Sequence, residues 1–223
     1  MNCKKTGEKS TFLFDFDGTL VDSMPTYISV MLRILDERGI KYGDDIVKII
    51  TPLGTKGTIE YFISLGLDLP LEEIKAEIFA RLVPLYRDVI VDKPHVADCL
   101  RAMRAAGMHL HILTASPHEY LDPCLKRIGL YDLFDNVWSS DDFGTGKTDP
   151  AIYAAAAERI GVTVSEVVFL DDNIHADRTA MLAGMRVIGV YDDTSADSEE
   201  EMRASLDGYV KDFSELGALL ECL

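Results

Sequence analysis

The chain has 223 residues, enough for one domain with a large insertion or for two small domains, and its 48% hydrophobic and 27% charged residues argue against disorder. With 38 acidic against 22 basic residues the formal net charge is −16, a balance that repels phosphate backbones and anionic membrane surfaces, so neither nucleic acid nor a membrane is an expected partner. Cys3, Cys99, Cys124 and Cys222 show no C-x-x-C or Cys/His spacing, which speaks against a zinc site or a disulfide framework and fits a reducing compartment.

The chain opens on MNCKKTGEKS, which is polar and lacks the apolar segment of a signal peptide. No run approaches the ~18 apolar residues of a membrane span, and a cytoplasmic location is expected. Residues 11–23, TFLFDFDGTLVDS, follow. The short unbroken apolar run Phe12-Leu13-Phe14 predicts a strand at the covered centre of a parallel sheet, and ligands bind at the carboxyl ends of such strands. Asp15 and Asp17 stand at that end, ahead of Gly18 and Thr19. An acidic turn closing a strand has the same local composition.

Beyond Ser23 the period becomes helical, with Ile28, Met31, Leu32 and Leu35 on one face before Gly39. Further helices are predicted over 44–50, 55–65 and 70–89, with Pro52-Leu53-Gly54 and Gly66 as breaks. No strand signal interrupts them before Pro94. Residues 22–93 therefore form an all-helical insertion, and 1–21 together with 94–223 form the core domain. From Pro94 onward helices at 96–106, 120–128, 150–160, 176–183, 199–206 and 214–221 alternate with strands at 108–114, 136–139, 167–170, 186–190 and 208–210. Such alternation implies right-handed crossovers and an α/β fold of three layers, a parallel sheet covered by helices on both faces.

In a parallel sheet every strand's carboxyl end lies on one edge, so the residues after each strand are candidates for a shared site. After the strand ending at Thr114 come Ala115 and Ser116, whose hydroxyl and backbone N–H groups can hold an anion before a helix, although Thr and Ser ahead of Pro117 are also ordinary helix caps. Lys147 lies in a loop with Gly144 and Gly146. Asp171 and Asp172 follow a buried strand directly, and two carboxylates there repel each other unless they share a cation. Delivered to one edge, these groups make a divalent cation site beside an anion site, and hard oxygen ligands suit Mg²⁺ rather than zinc.

Asp15-Phe-Asp17-Gly18-Thr19, then Thr114, then Lys147, then Asp171-Asp172 with Asp177 five positions on and Gly184 twelve after Asp172, resemble the four motifs of the haloacid dehalogenase-like hydrolase superfamily. The resemblance spans nearly the whole chain. It implies a Rossmann-like core with a helical cap domain, Mg²⁺ as cofactor and an aspartyl-enzyme intermediate. On these positions it makes Asp15 the nucleophile and a metal ligand, and Asp17 the acid and base whose main-chain carbonyl also ligates the metal. Asp172 becomes the third ligand, with Asp171 as a substitute, and Asp177 orients the shell from outside. Thr114, the Ala115 region's backbone N–H groups and Lys147 bind the phosphoryl oxygens.

The implied activity is Mg²⁺-dependent hydrolysis of small-molecule phosphate monoesters, of the sugar phosphate, phosphoglycolate or nucleotide class. Relatives that displace halide differ at the position of Asp17, since halide leaves without a proton, and phosphonate-cleaving relatives also lack this acid and use a cap lysine, for which Lys56 is the counterpart. A phosphosugar mutase of the beta-phosphoglucomutase type is the nearer alternative. It usually carries a histidine soon after the first motif, which Asp22-Ser-Met-Pro-Thr-Tyr-Ile-Ser lacks. An inactive phosphate-binding regulatory protein is a third reading, but no expected position is damaged. The partner is a small phosphorylated molecule, the assembly a monomer or small homo-oligomer, and Thr55, Lys56 and Tyr61 are the cap residues nearest the expected substrate face, although they read equally as a helix cap, a surface lysine and a core tyrosine.

Overall fold

A computed structural model describes residues 11–220, so the readings of the polar amino terminus, of Cys3 and Cys222 and of the last residue of the final predicted helix lie outside the described residues. The first strand, β1 (Thr11–Phe14), is followed by four helices, α1 (Met24–Asp36), α2 (Ile46–Ile50), α3 (Gly54–Ser64) and α4 (Leu71–Asp88). Then α5 (Val96–Ala105), α6 (His118–Arg127), α7 (Pro150–Ile160), α8 (Ile174–Ala183), α9 (Glu199–Ser205) and α10 (Leu216–Leu220) alternate with strands β2 (His109–Thr114), β3 (Asn136–Ser139), β4 (Val167–Asp171), β5 (Arg186–Val190) and β6 (Gly208–Val210).

All strand pairs are parallel, in the order β3-β2-β1-β4-β5-β6. The chain builds outward from β1 to β3 and then returns to β1's other side with β4. That reversal beside β1 opens a crevice at the carboxyl edge, where open α/β sheets bind ligands. The predicted three-layer α/β architecture is the one observed.

Period-two alternation in β1 explains why its apolar run is unbroken. Phe12 and Phe14 join Leu110, Ile112, Val168 and Leu170 on one face of the sheet. Leu13 joins Leu113, Val167 and Phe169 on the other, beneath Ile152 and Tyr153 of α7 and Ala180 of α8. Full burial of such a side chain contributes about 1.5–3 kcal/mol, so both faces oppose any slip of the strand register.

The apolar cluster on the first face runs on without a break into the helices after β1, through Phe16, Met31, Ile34, Phe62, Ile74 and Ile78. Helix α4 packs on α6, with Tyr86 stacked on Tyr120 at 4.9 Å between ring centroids. Arg127 of α6 donates to the main-chain oxygens of Tyr86 and Ile90, tying the carboxyl end of α4 to the sheet side of the molecule.

Several boundaries differ from the sequence reading, each for a local reason. Helix α8 starts at Ile174, not 176, because the Asn173 side chain accepts from His175 N at 2.9 Å and caps it. Helix α6 starts at His118, with Pro117 as its extended N-cap residue. Strand β4 runs one residue further, through Asp171, and α2 begins only at Ile46. No described helix is long and apolar enough to cross a membrane.

Candidate active site

The carboxyl ends of β1 and β4 lie side by side, and Asp15 N donates to Leu170 O at 2.8 Å. Asp15, Asp171 and Asp172 are all buried there, each with an oxygen within 4.8 Å of the others. Lys147 Nζ reaches across them, 2.6 Å from Asp15 Oδ1 and 2.6 Å from Asp171 Oδ2. The second Asp171 oxygen accepts from Asn173 N at 2.7 Å, while Asp172 Oδ1 accepts from Thr19 Oγ1 at 3.0 Å.

A close approach makes this packing possible. Gly18 adopts φ of +76°, the turn folds back with Gly18 N donating to Val21 O at 3.0 Å, and an added Cβ would lie 2.5 Å from Asp172 Oδ2. Lys93 Nζ holds the same turn from below, donating to Gly18 O at 2.6 Å and to Tyr191 O at 2.5 Å.

The cluster carries more negative charge than Lys147 can balance. Burial raises the proton affinity of Asp172, and repulsion from Asp171 and Asp15 raises it further. Asp171 is raised in the same way, chiefly by burial, against the pull of Lys147. Burial alone would lower the Lys147 pKa, but Asp15 and Asp171 outweigh it and hold the ammonium charged. Behind them Asp177 is fully buried, neither of its oxygens has a hydrogen-bond partner among the described residues, and burial with Asp171 and Asp172 raises its pKa well above the usual range. An all-oxygen set of buried, mutually repelling carboxylates fits a hard divalent cation such as Mg²⁺.

Asp17 is set apart from this cluster. Its Oδ1 accepts from Ser23 Oγ at 2.6 Å and from Tyr86 Oη at 2.5 Å, and its Oδ2 accepts from Ser116 Oγ. Burial and the nearby Asp15 charge raise its pKa, while the three hydroxyl donors oppose the shift. Thr114 and Ala115 share a cavity of about 310 Å³ with Asp15, Asp17 and Lys147, and the Thr114 hydroxyl accepts from Ser116 N at 3.1 Å, leaving its own proton free to donate.

Residues 9–184 match the haloacid dehalogenase-like hydrolase family. The chain belongs to the haloacid dehalogenase-like hydrolases. A curated relative, the phosphorylated carbohydrates phosphatase of Thermotoga maritima, is 26% identical over 180 residues, covering 80% of this chain and 83% of that protein. The phosphoglycolate phosphatase of Psychrobacter arcticus is 25% identical over 192 residues, covering 82% and 84%. Among solved structures, CbbY from Rhodobacter sphaeroides in complex with phosphate superposes with a TM-score of 0.81 at 25% identity, over 96% of this chain and 100% of that one.

In this haloacid dehalogenase-like hydrolase the residues singled out from sequence, Asp15, Asp17, Thr114, Ala115, Lys147 and Asp172, all line the one cavity. On the cap side the structure has a surface lysine at Lys56 and a Tyr61 packed against the core, not residues lining the cavity. Lys56 is exposed and faces Glu60 at 3.8 Å, and the Thr55 hydroxyl is bonded to Tyr27 at 2.8 Å. The insertion instead reaches the cavity through Met24, Thr51, Leu53 and Gly54. A second cavity of about 250 Å³ adjoins it, sharing Met24, Thr51, Asp172, Asn173 and His175 and extending to Lys48 and Ser195.

Sequence reasoning gave Ser23 and Tyr86 no role and saw Ser116 as an anion holder or a helix cap. Ser23 is close to Asp17 in sequence and carried a signal, a hydroxyl just before a proline-started helix. Tyr86 carried none, being 69 residues from Asp17 at a position that reads as helical core.

Proposed function

We propose that this protein, a phosphoric monoester hydrolase of the haloacid dehalogenase-like family, cleaves small-molecule phosphate monoesters with Mg²⁺ as cofactor and Asp15 as nucleophile. The sugar phosphate and phosphoglycolate classes stand first, supported by the names of the relatives, with nucleotides as a third class. The observation that carries the proposal is the division of labour between two acids: Asp15 lies against Lys147 among the clustered carboxylates, whereas Asp17 lies in a hydroxyl-lined niche on the same cavity.

Asp15 Oδ attacks phosphorus and forms an aspartyl-phosphate, splitting one hard displacement into two easier ones. As the ester P–O bond breaks, Asp17 gives its proton to the leaving oxygen. In the second step Asp17, now a carboxylate, takes a proton from water as that water attacks phosphorus and frees Asp15. Its raised proton affinity suits both roles. Thr114 Oγ1, the Ala115 N–H and the Lys147 ammonium hold the phosphoryl oxygens as charge develops.

Asp15, Asp172 and the main-chain carbonyl of Asp17 would hold Mg²⁺, because Asp171 has both oxygens committed to Lys147 and Asn173 N. Bound there, the ion would neutralise phosphoryl charge and keep the crowded carboxylates ionised. Residues 22–93 act as a cap that excludes water from the cavity, and 1–21 with 94–223 act as the core. Ser23 precedes α1 and Tyr27 lies in its first turn; this stretch carries no histidine of the kind a mutase would use, which favours hydrolysis over phosphoryl return. Cys99 and Cys124 are free thiols, in keeping with a cytoplasmic enzyme.

The test is hydrolysis of p-nitrophenyl phosphate with and without Mg²⁺, followed by a panel of sugar phosphates, phosphoglycolate and nucleoside monophosphates. Mg²⁺-dependent release of phosphate supports the proposal, and the panel selects the class. Absence of turnover on every ester with Mg²⁺ present contradicts it.

A further inference from the structure

We infer that Tyr86 is a positioning residue for phosphoryl transfer, aiming the Asp17 carboxyl at the leaving oxygen from the helical insertion. The inference rests on the phosphatase reading above and adds to it a residue that lies outside all four motifs and does not line the cavity.

The geometry shows a fixed support. Tyr86 is 2% exposed, and its ring packs against Phe16, 6.2 Å away, and stacks on Tyr120, 4.9 Å away and nearly parallel. Arg127 holds its main-chain oxygen. A phenolic hydroxyl in the plane of an immobilised ring has one place to be, and that place is 2.5 Å from Asp17 Oδ1. Ser23 and Ser116 also donate to Asp17, but a serine hydroxyl can rotate to another acceptor.

Asp17 is attached to a turn rather than to a strand, so its backbone does not by itself fix the carboxyl direction. The buried carboxylate cluster comprises Asp15, Asp171 and Asp172, whereas the Asp17 oxygens accept from the three hydroxyls. The three donors, which come from the linker, from α4 and from the loop after β2, engage both oxygens of the side chain. They hold the proton donor by partners different from those of the nucleophile two residues earlier, which lies against Lys147. During transfer the proton moves from Asp17 to the ester oxygen as the P–O bond breaks and the Asp15–phosphorus bond forms, and Tyr86 keeps its own proton throughout.

Proton donation matters in proportion to how poor the leaving group is. The experiment compares kcat/KM for phenyl phosphate and for p-nitrophenyl phosphate in wild type, Tyr86→Phe, Asp17→Asn and Asp15→Asn proteins, with Mg²⁺ present. Tyr86→Phe keeps the stacked ring, and its thermal midpoint should match wild type. Expected is a fall of about tenfold or more on phenyl phosphate with a change under about twofold on p-nitrophenyl phosphate, since general acid catalysis contributes about 10²–10⁴-fold in all. Asp17→Asn should show the same selectivity, more strongly, and Asp15→Asn should lose both esters. An equal fall on both esters in Tyr86→Phe, or no change on either, overturns the inference while leaving the hydrolase reading intact. A wild type inactive on both esters overturns the hydrolase reading and this inference with it.

Discussion

Asp15 and Asp17 are separated by one residue, yet their carboxylates have different neighbours. Asp15 Oδ1 lies 2.6 Å from the Lys147 ammonium, whereas Asp17 Oδ1 lies 2.5 Å from the Tyr86 hydroxyl and 2.6 Å from that of Ser23. One acid is placed against a cation and the other among neutral donors. This is the arrangement expected when one must stay ionised as a nucleophile and the other must exchange a proton.

The first prediction concerns the metal. Activity should require Mg²⁺ and disappear in EDTA, and Ca²⁺, larger and looser in its geometry, should restore little of it. Binding should also be visible without turnover. At Mg²⁺ about 100-fold above its dissociation constant the folded state gains about 2.7 kcal/mol, which for a chain of this size raises the thermal midpoint by roughly 5–10 °C. Full activity in EDTA, or a midpoint indifferent to Mg²⁺, would remove the metal from the account.

A second prediction follows from the raised pKa values of Asp172 and Asp177. Between the unfolded and folded pKa values the folded state binds more protons, so the slope of stability with pH is negative in that window. Without metal, these two groups therefore cost stability as pH rises from about 4 toward neutrality. Asp177→Asn removes one buried charge that has no hydrogen-bond partner. In EDTA near neutral pH it should raise the thermal midpoint by about 2–4 °C, a gain of about 1 kcal/mol, and flatten the pH dependence. The same variant should bind Mg²⁺ about 10–100-fold more weakly. Thermal scans in EDTA across this range check the first point, and Mg²⁺ titration of the melting temperature checks the second.

Much of this site was legible because buried parallel strands read as unbroken apolar runs. Phe12-Leu13-Phe14 and Val167-Val168-Phe169-Leu170 mark β1 and β4, so the acids that follow them fall on one edge by pattern alone. Thr114 and Lys147 followed from the same logic. The helical side was less legible. Lys56 drew attention by following a glycine turn, but its helix turns it to solvent. Tyr86 is set by tertiary packing of α4 on α6, and a tyrosine at a core-facing helical position carries no local mark of the partner its hydroxyl will find.

Gly18 tests whether the close approach to Asp172 matters. Its φ of +76° disfavours any side chain, and a methyl group would meet Asp172 Oδ2 at 2.5 Å. Gly18→Ala should destabilise the fold by about 1–2 kcal/mol, lowering the thermal midpoint by roughly 2–8 °C, and should weaken Mg²⁺ binding by displacing Asp172. A variant with wild-type midpoint and Mg²⁺ affinity would show that the turn relaxes without cost.

The central claim is that Asp15 carries the phosphoryl group, and the most direct measurement traps it there. Asp17→Asn keeps the nucleophile but removes the base that the second step needs, and an acyl phosphate has a leaving group good enough to pass the first step without an acid. Mixing Asp17→Asn protein with acetyl phosphate and Mg²⁺, quenching in acid and digesting for mass spectrometry should reveal a phosphate adduct on the peptide containing Asp15. The double variant Asp15→Asn with Asp17→Asn should show none. An adduct on another residue, or an Asp15→Asn protein that keeps near-normal turnover, would contradict the assignment of Asp15 as nucleophile.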